Sequence, residues 1–207
     1  MLKSMRKGMI AAAFVAVAAV VVGLNPGTAA ASGPLPADKD MVIGDPNAPV
    51  TVVEYASMTC PHCASFHIAH LPDIKKKYID TGKVRLIFRE FPLDRAGYQA
   101  SILARCSGED RFFPYIDILF SQQPAWSRAK DQKAELMKLA RMGGVSEQAF
   151  NACLADKKLG DGILNTRKVG SDKHNVNSTP SFVIGGKTYG GVLDLKAFSE
   201  AVDPLLK

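Results

Sequence analysis

Four cysteines stand in the chain, at 60, 63, 106 and 153, and the first two form the motif Cys60-Pro61-His62-Cys63. Two thiols at this spacing can pair with each other, hold a metal ion or exchange disulfides with another protein. The surroundings favour exchange. The motif follows a β-branched apolar run and opens a helical pattern, with Pro61 in a first turn where its missing N–H is not needed. A sulfur at that place meets free backbone N–H groups at the positive end of a helix, which favours thiolate over thiol. The neighbouring His62 can add a donor or a positive charge. A stabilised thiolate is a good leaving group, so a Cys60–Cys63 disulfide is expected to be easily reduced and to oxidise the thiols it meets. Cys63, one turn further in, is expected to be the more buried sulfur and to resolve the mixed disulfide.

Three further sites bear on that chemistry. Glu54 lies six residues before Cys60 and shares a strand face with Val50 and Val52. Buried beneath the disulfide, it would shuttle the proton of Cys63; at a solvated strand end it would only face water. His67 and His70 fall on the helical face of the two cysteines, which raises a copper or zinc reading. Ten residues of helix span about 15 Å, however, so one ion cannot reach Cys60, Cys63, His67 and His70 together. Both histidines are expected at the surface or along a groove. Thr179-Pro180 precedes the last strand pair, where proline ordinarily marks a turn or an edge. A cis bond there would turn the Thr179 backbone outward, toward an extended peptide.

Cys106 and Cys153 fall in a helical region, 47 residues apart. Four cysteines allow three pairings. If Cys60 pairs with Cys63, the other two are left for a structural bridge between helices; free buried thiols are the alternative.

Several elements must position these residues. Met41–Ile43 suits a short edge strand and Val50–Tyr55 a buried central one. A helical pattern runs from the motif to about Thr81, and Pro72 inside it predicts a kink or a split. Val84–Phe91 is a second strand, far enough along to pair in parallel with the first. Helical patterns then cover 95–107, 110–122, 131–142, 146–155 and 158–173. Strand character returns at Ser181–Ile184 and at Lys187–Tyr189, around Gly185-Gly186, which reads as a hairpin. A final amphipathic helix over 193–206 turns Leu193, Leu195, Phe198, Ala201, Val202 and Leu205 to one face. Lys75-Lys76-Lys77 is a solvated helix face, while Phe112, Phe113 and Trp126 are packing residues.

The chain of 207 residues carries 26 basic and 20 acidic side chains. Its first residues have the layout of an export signal: Lys3, Arg6 and Lys7, then an apolar run from Met9 to Leu24, a turn at Asn25-Pro26-Gly27, and Ala29-Ala30-Ala31. The run is shorter than the roughly 20 residues a membrane span needs, so cleavage near Ala31 is expected over retention as an anchor. Without residues 1–31 the net charge is +3, from 23 basic and 20 acidic residues. That modest charge weakens a nucleic-acid reading, which needs a clustered basic stripe. A protein exported to an oxidising compartment is expected.

Together Cys60-Pro61-His62-Cys63, Glu54, the late Thr179-Pro180 and the helical stretch between the two strand groups resemble the DsbA-type thiol:disulfide oxidoreductases of the thioredoxin superfamily. The resemblance covers roughly residues 40–207. It implies an α/β, thioredoxin-like fold (βαβ…ββα) with an inserted helical domain. The divisions would be a signal peptide at 1–31, thioredoxin-like parts at 32–93 and 176–207, and the helical domain at 94–175. It implies a periplasmic enzyme that introduces disulfides into reduced, unfolded exported proteins, with no cofactor and no metal. Cys60 would be the nucleophile and Cys63 the resolving thiol. His62 would stabilise the thiolate, Glu54 would be the buried acid, and Pro180 would be a cis proline beside which Thr179 meets substrate. A DsbB-type, quinone-linked membrane oxidase would re-oxidise a monomeric enzyme. The extra Cys106–Cys153 pair looks like the alphaproteobacterial branch, and Thr179 stands where some members carry Val. An exported isomerase or reductase on the same scaffold is the competing reading. The roughly nine residues between Ala31 and the first strand leave no room for a dimerisation domain of the isomerase type.

Overall fold

The computed structural model describes residues 34–206. The expected export segment, 1–31, lies outside the described residues. The central strand, β2 (Val50–Ala56), is apolar and β-branched, as suits a strand covered on both faces. It pairs in parallel with β3 (Val84–Glu90), from Val50 opposite Val84 to Ala56 opposite Glu90. On its other side it pairs antiparallel with β4 (Ser181–Ile184). β1 (Met41–Ile43) and β5 (Lys187–Gly190) are the edges, giving the order β1-β3-β2-β4-β5. Gly185 and Gly186 take φ of +55° and +78°, as a two-residue hairpin turn requires at both positions.

From the motif the chain runs through α1 (Pro61–Ser65), a π-helical turn (Phe66–His70), α2 (Leu71–Ile74) and a second π-helical turn (Lys75–Ile79). The break expected at Pro72 is absorbed rather than made. The Leu71 N–H reaches back to the carbonyl of Phe66, one residue further than in an α-helix. Pro72 has no N–H to donate and its ring crowds the turn before it; a widened turn accommodates both.

Between β3 and β4 lie α3 (Arg95–Cys106), α4 (Glu109–Ser121), α5 (Gln123–Ser127), α6 (Gln132–Met142), α7 (Glu147–Ala155) and α8 (Lys157–His174). Asp94, Asp131, Ser146 and Asp156 cap α3, α6, α7 and α8, each accepting from an N–H three residues on. The sequence reading has no counterpart to α5, because five residues are too few for periodicity to mark. α9 (Leu195–Val202) is shorter than the expected 193–206. Asp194 caps its start, a 3-10 turn at Asp203–Leu205 follows it, and Leu205 is exposed rather than on the buried face.

One apolar cluster joins the helices to the motif, with Leu103, Phe112, Phe120 and Trp126 packed among Met58, Cys60, Cys63 and Phe88. A second holds Val50, Val52, Leu86, Phe182 and Ile184 of the sheet together with Phe66, Ile74 and Phe198. Full burial of such side chains contributes roughly 1.5–3 kcal/mol each. The motif is therefore anchored by apolar packing as well as by its backbone. Among the described residues no helix is long and apolar enough to cross a membrane.

Candidate active site

Cys60 is the last extended residue before α1, with φ −78° and ψ 118°, and Pro61 occupies the first turn. Its carbonyl accepts from the Ala64 N–H at 3.2 Å, the first bond of the helix. The loop ahead of it is tied from two directions. The side-chain amide of buried Gln123, in α5, donates to the carbonyls of Met58 and Cys60 at 2.8 and 2.9 Å. The Thr59 hydroxyl donates to Asp94 at 2.8 Å, while the other Asp94 oxygen caps α3 through the Gly97 N–H. Sequence reasoning misses both Gln123 and Asp94 as parts of the site. Gln123 carries no local signal, and an acid ahead of a helix signals at most a cap; the contacts that recruit them join distant parts of the chain.

Both sulfurs of the motif are free thiols here. Cys60 is 5% exposed and Cys63 fully buried. Their proton affinities move apart. The Cys60 pKa falls from 9.0 to about 5, chiefly because the Cys63 thiol donates to sulfur 60. Burial opposes that fall, while the Thr179 side chain and the backbone N–H groups of Cys63 and His62 add to it. Burial drives the Cys63 thiol far upward, helped by its hydrogen bond to Cys60 and by the charges of Glu54 and Cys60. The amide end of the helix, expected to be the main influence on Cys60, is thus secondary to the neighbouring thiol. His62 contributes through its backbone, and its side chain is exposed.

The Thr179–Pro180 bond is cis. The Cys60 thiol donates to the Thr179 carbonyl at 3.1 Å, although the two residues are 119 apart in the chain. That contact lasts only while the sulfur keeps its proton. The Thr179 hydroxyl oxygen is buried with no fixed partner, so it is the Thr179 group left to serve the thiolate.

Glu54 is fully buried, and both its oxygens meet Nε2 of His67, at 3.0 and 3.1 Å. This overturns the expected placement of His67 at the surface: its side chain is 3% exposed. The inward face of the motif helix carries Cys63, Ala64, Phe66 and His67 together, and a polar ring is tolerated there because Glu54 supplies a partner. His70 is half-buried. Cys106 and Cys153 are joined in a disulfide between α3 and α7. Among the described residues no three His, Cys, Asp or Glu side chains converge as a metal site, and His67 turns its ring to Glu54 rather than to the cysteines.

Residues 37–204 match the model of the thioredoxin family. The chain belongs to that family. Within it the likeness is to the DsbA type, and to alphaproteobacterial members. The structure of alpha-DsbA1 from Wolbachia pipientis is 36% identical and superposes with a TM-score of 0.74, over 83% of this chain and 93% of that one. A Rickettsia prowazekii protein, provisionally named a protein-disulfide oxidoreductase, is 37% identical over 171 residues, covering 82% of this chain and 62% of its own length. The Rickettsia bellii counterpart is 37% identical over 150 residues, 72% of this chain and 58% of its own length. The chain thus spans about three-fifths of these curated relatives.

Proposed function

We propose that the chain is a periplasmic thiol:disulfide oxidoreductase that introduces disulfide bonds into exported proteins through Cys60 and Cys63. The observation that carries the reading is the opposite drift of the two thiols, Cys60 down to about 5 and Cys63 far upward. In the oxidised form a substrate thiolate attacks sulfur 60, and the bond to sulfur 63 breaks. Sulfur 63 leaves with the electron pair and must gain a proton, which Glu54 would deliver. A second substrate thiolate then attacks the substrate sulfur of the mixed disulfide. A disulfide forms in the substrate and sulfur 60 departs as a stable thiolate. Two electrons have passed to the enzyme pair, with no cofactor involved. Thr179 lies beside sulfur 60 and, with Pro180, would receive the substrate backbone, while His62 would help stabilise the thiolate from the rim.

Export to the periplasm rests on the basic and apolar start of the sequence. Reduced, unfolded exported proteins are the proposed substrates, a monomer the working form, and a DsbB-type, quinone-linked membrane oxidase the acceptor that restores the disulfide. Equilibration with glutathione and titration of Cys60 by thiolate absorbance test the reading. We expect a Cys60 midpoint near 5 and a pair that stays mostly reduced in oxidising glutathione buffers. A Cys60 titrating near 9.0, with a pair readily oxidised by glutathione, would transfer the assignment to the reductase.

A further inference from the structure

We propose that His67 and Glu54 form one proton-sharing unit behind Cys63, in which His67 positions the carboxylate and holds the proton that sulfur 63 gains and gives up. The inference rests on the reading of Glu54 as the proton carrier and deepens it. A carboxylate with no exposure to water needs a partner, and among the described residues the side chain bonded to it is the His67 imidazole, bridging both oxygens through Nε2. The ring lies tilted by 33° against Phe120, 4.5 Å away between centroids, and edge-on to Phe66 and Phe88 at 5.5 and 5.8 Å. Its second nitrogen, Nδ1, is buried without a hydrogen-bond partner among the described residues. A histidine serving only to brace the carboxylate needs one nitrogen; the second is left open to carry or release a proton.

The charged groups facing the ring come from two elements. Glu54 approaches from β2 and Asp117 from α4, at the solvent edge. Burial raises the Asp117 pKa, and the charge on His67 works against that rise. Phe88, from β3, is apolar, and Cys63 lies one turn earlier on the same helix. With His67 protonated, the pair is neutral while the carboxylate stays ionised. When sulfur 63 leaves Cys60 as an anion, one proton passes from the pair to that sulfur. The thiolate becomes a thiol, and the pair is left as a carboxylate beside a neutral imidazole. Re-oxidation runs the transfer backward: sulfur 63 yields its proton to the pair, attacks sulfur 60, and expels the partner's thiolate.

The test follows resolution by Cys63 in the full chain. Reduced protein is given oxidised glutathione, Cys60 forms a mixed disulfide, and attack by Cys63 releases glutathione at a rate measured against pH. His67→Gln keeps a donor for the carboxylate but cannot titrate. We expect it to slow release roughly tenfold or more near pH 6 and to steepen the pH profile, with the Cys60 titration unchanged. Glu54→Gln should slow the same step. A wild-type profile in His67→Gln beside a slow Glu54→Gln would overturn this proposal alone. No effect in Glu54→Gln would bring down the reading beneath it as well. The unaltered protein provides a check that does not depend on a variant folding. The ring-nitrogen resonances of His67 should titrate with different midpoints in the oxidised and reduced forms, and identical midpoints would refute the shared proton.

Discussion

Sulfur 60 loses its proton near pH 5 because a neighbouring thiol points at it, and that dependence on one donor can be checked directly. Cys63→Ala removes the donor, so the Cys60 pKa should climb by at least a unit toward 9.0, read by thiolate absorbance. His62→Ala should raise it less, because the backbone N–H at that position survives the change. The same shift makes the stability of the reduced form depend on pH. The folded value lies below the unfolded one, so between about 5 and 9.0 the unfolded chain binds the extra proton and stability rises with pH. The contribution is complete above 9.0 and lost as pH falls through about 5. The oxidised form has no such thiol. The Tm of the reduced protein relative to the oxidised one should therefore increase across this window, and a constant difference from pH 5 to pH 8 would contradict the assigned pKa.

The elements around the motif act by fixing a short loop that has little structure of its own. Gln123 is the clearest instance, since one amide from α5 satisfies two carbonyls of the Met58–Cys60 segment inside an apolar cluster. Gln123→Leu leaves the Met58 carbonyl unpaired and the Cys60 carbonyl with the Ala64 N–H alone, and should cost about 1–3 kcal/mol in denaturant unfolding. It should also raise hydrogen exchange at residues 58–60 while leaving α7 unchanged. The first π-helical turn has an equally local cause: the chain stays helical past Pro72 by widening, and that widened turn carries His67 into the interior. Neither the extra helix α5 nor the inward turn of His67 is legible in the sequence. Short helices leave no period, and a histidine on a helix face looks the same whether it meets water or a buried carboxylate.

Across the whole molecule the helical insert and the sheet are tied by polar contacts that apolar patterning does not reveal. Arg105 of α3 meets buried Glu90 at the end of β3 at 2.5 and 2.8 Å, and donates to the carbonyls of Pro36 and Lys39. Arg105→Leu would leave Glu90 charged and alone, at a cost of about 3–5 kcal/mol in chemical unfolding. The Cys106–Cys153 bridge closes a loop of 47 residues, so its removal should cost about 4 kcal/mol on the chain-entropy view while leaving the Cys60 titration where it was. The redox motif, the order of strands and longer helices and the glycine turn were readable in the chain, because each depends on neighbours within a few positions. Their meeting was not: the Thr179 carbonyl at sulfur 60, the Gln123 amide on the loop and the His67 ring on Glu54 arise only when segments distant in the chain pack against one another. Local chemistry along the chain thus determined which sulfurs could react and gave Cys60 its main donor, Cys63, whereas the burial of both sulfurs and their distant neighbours, Thr179 and Glu54, were chosen by the packed interior, where burial makes every unpaired charge costly.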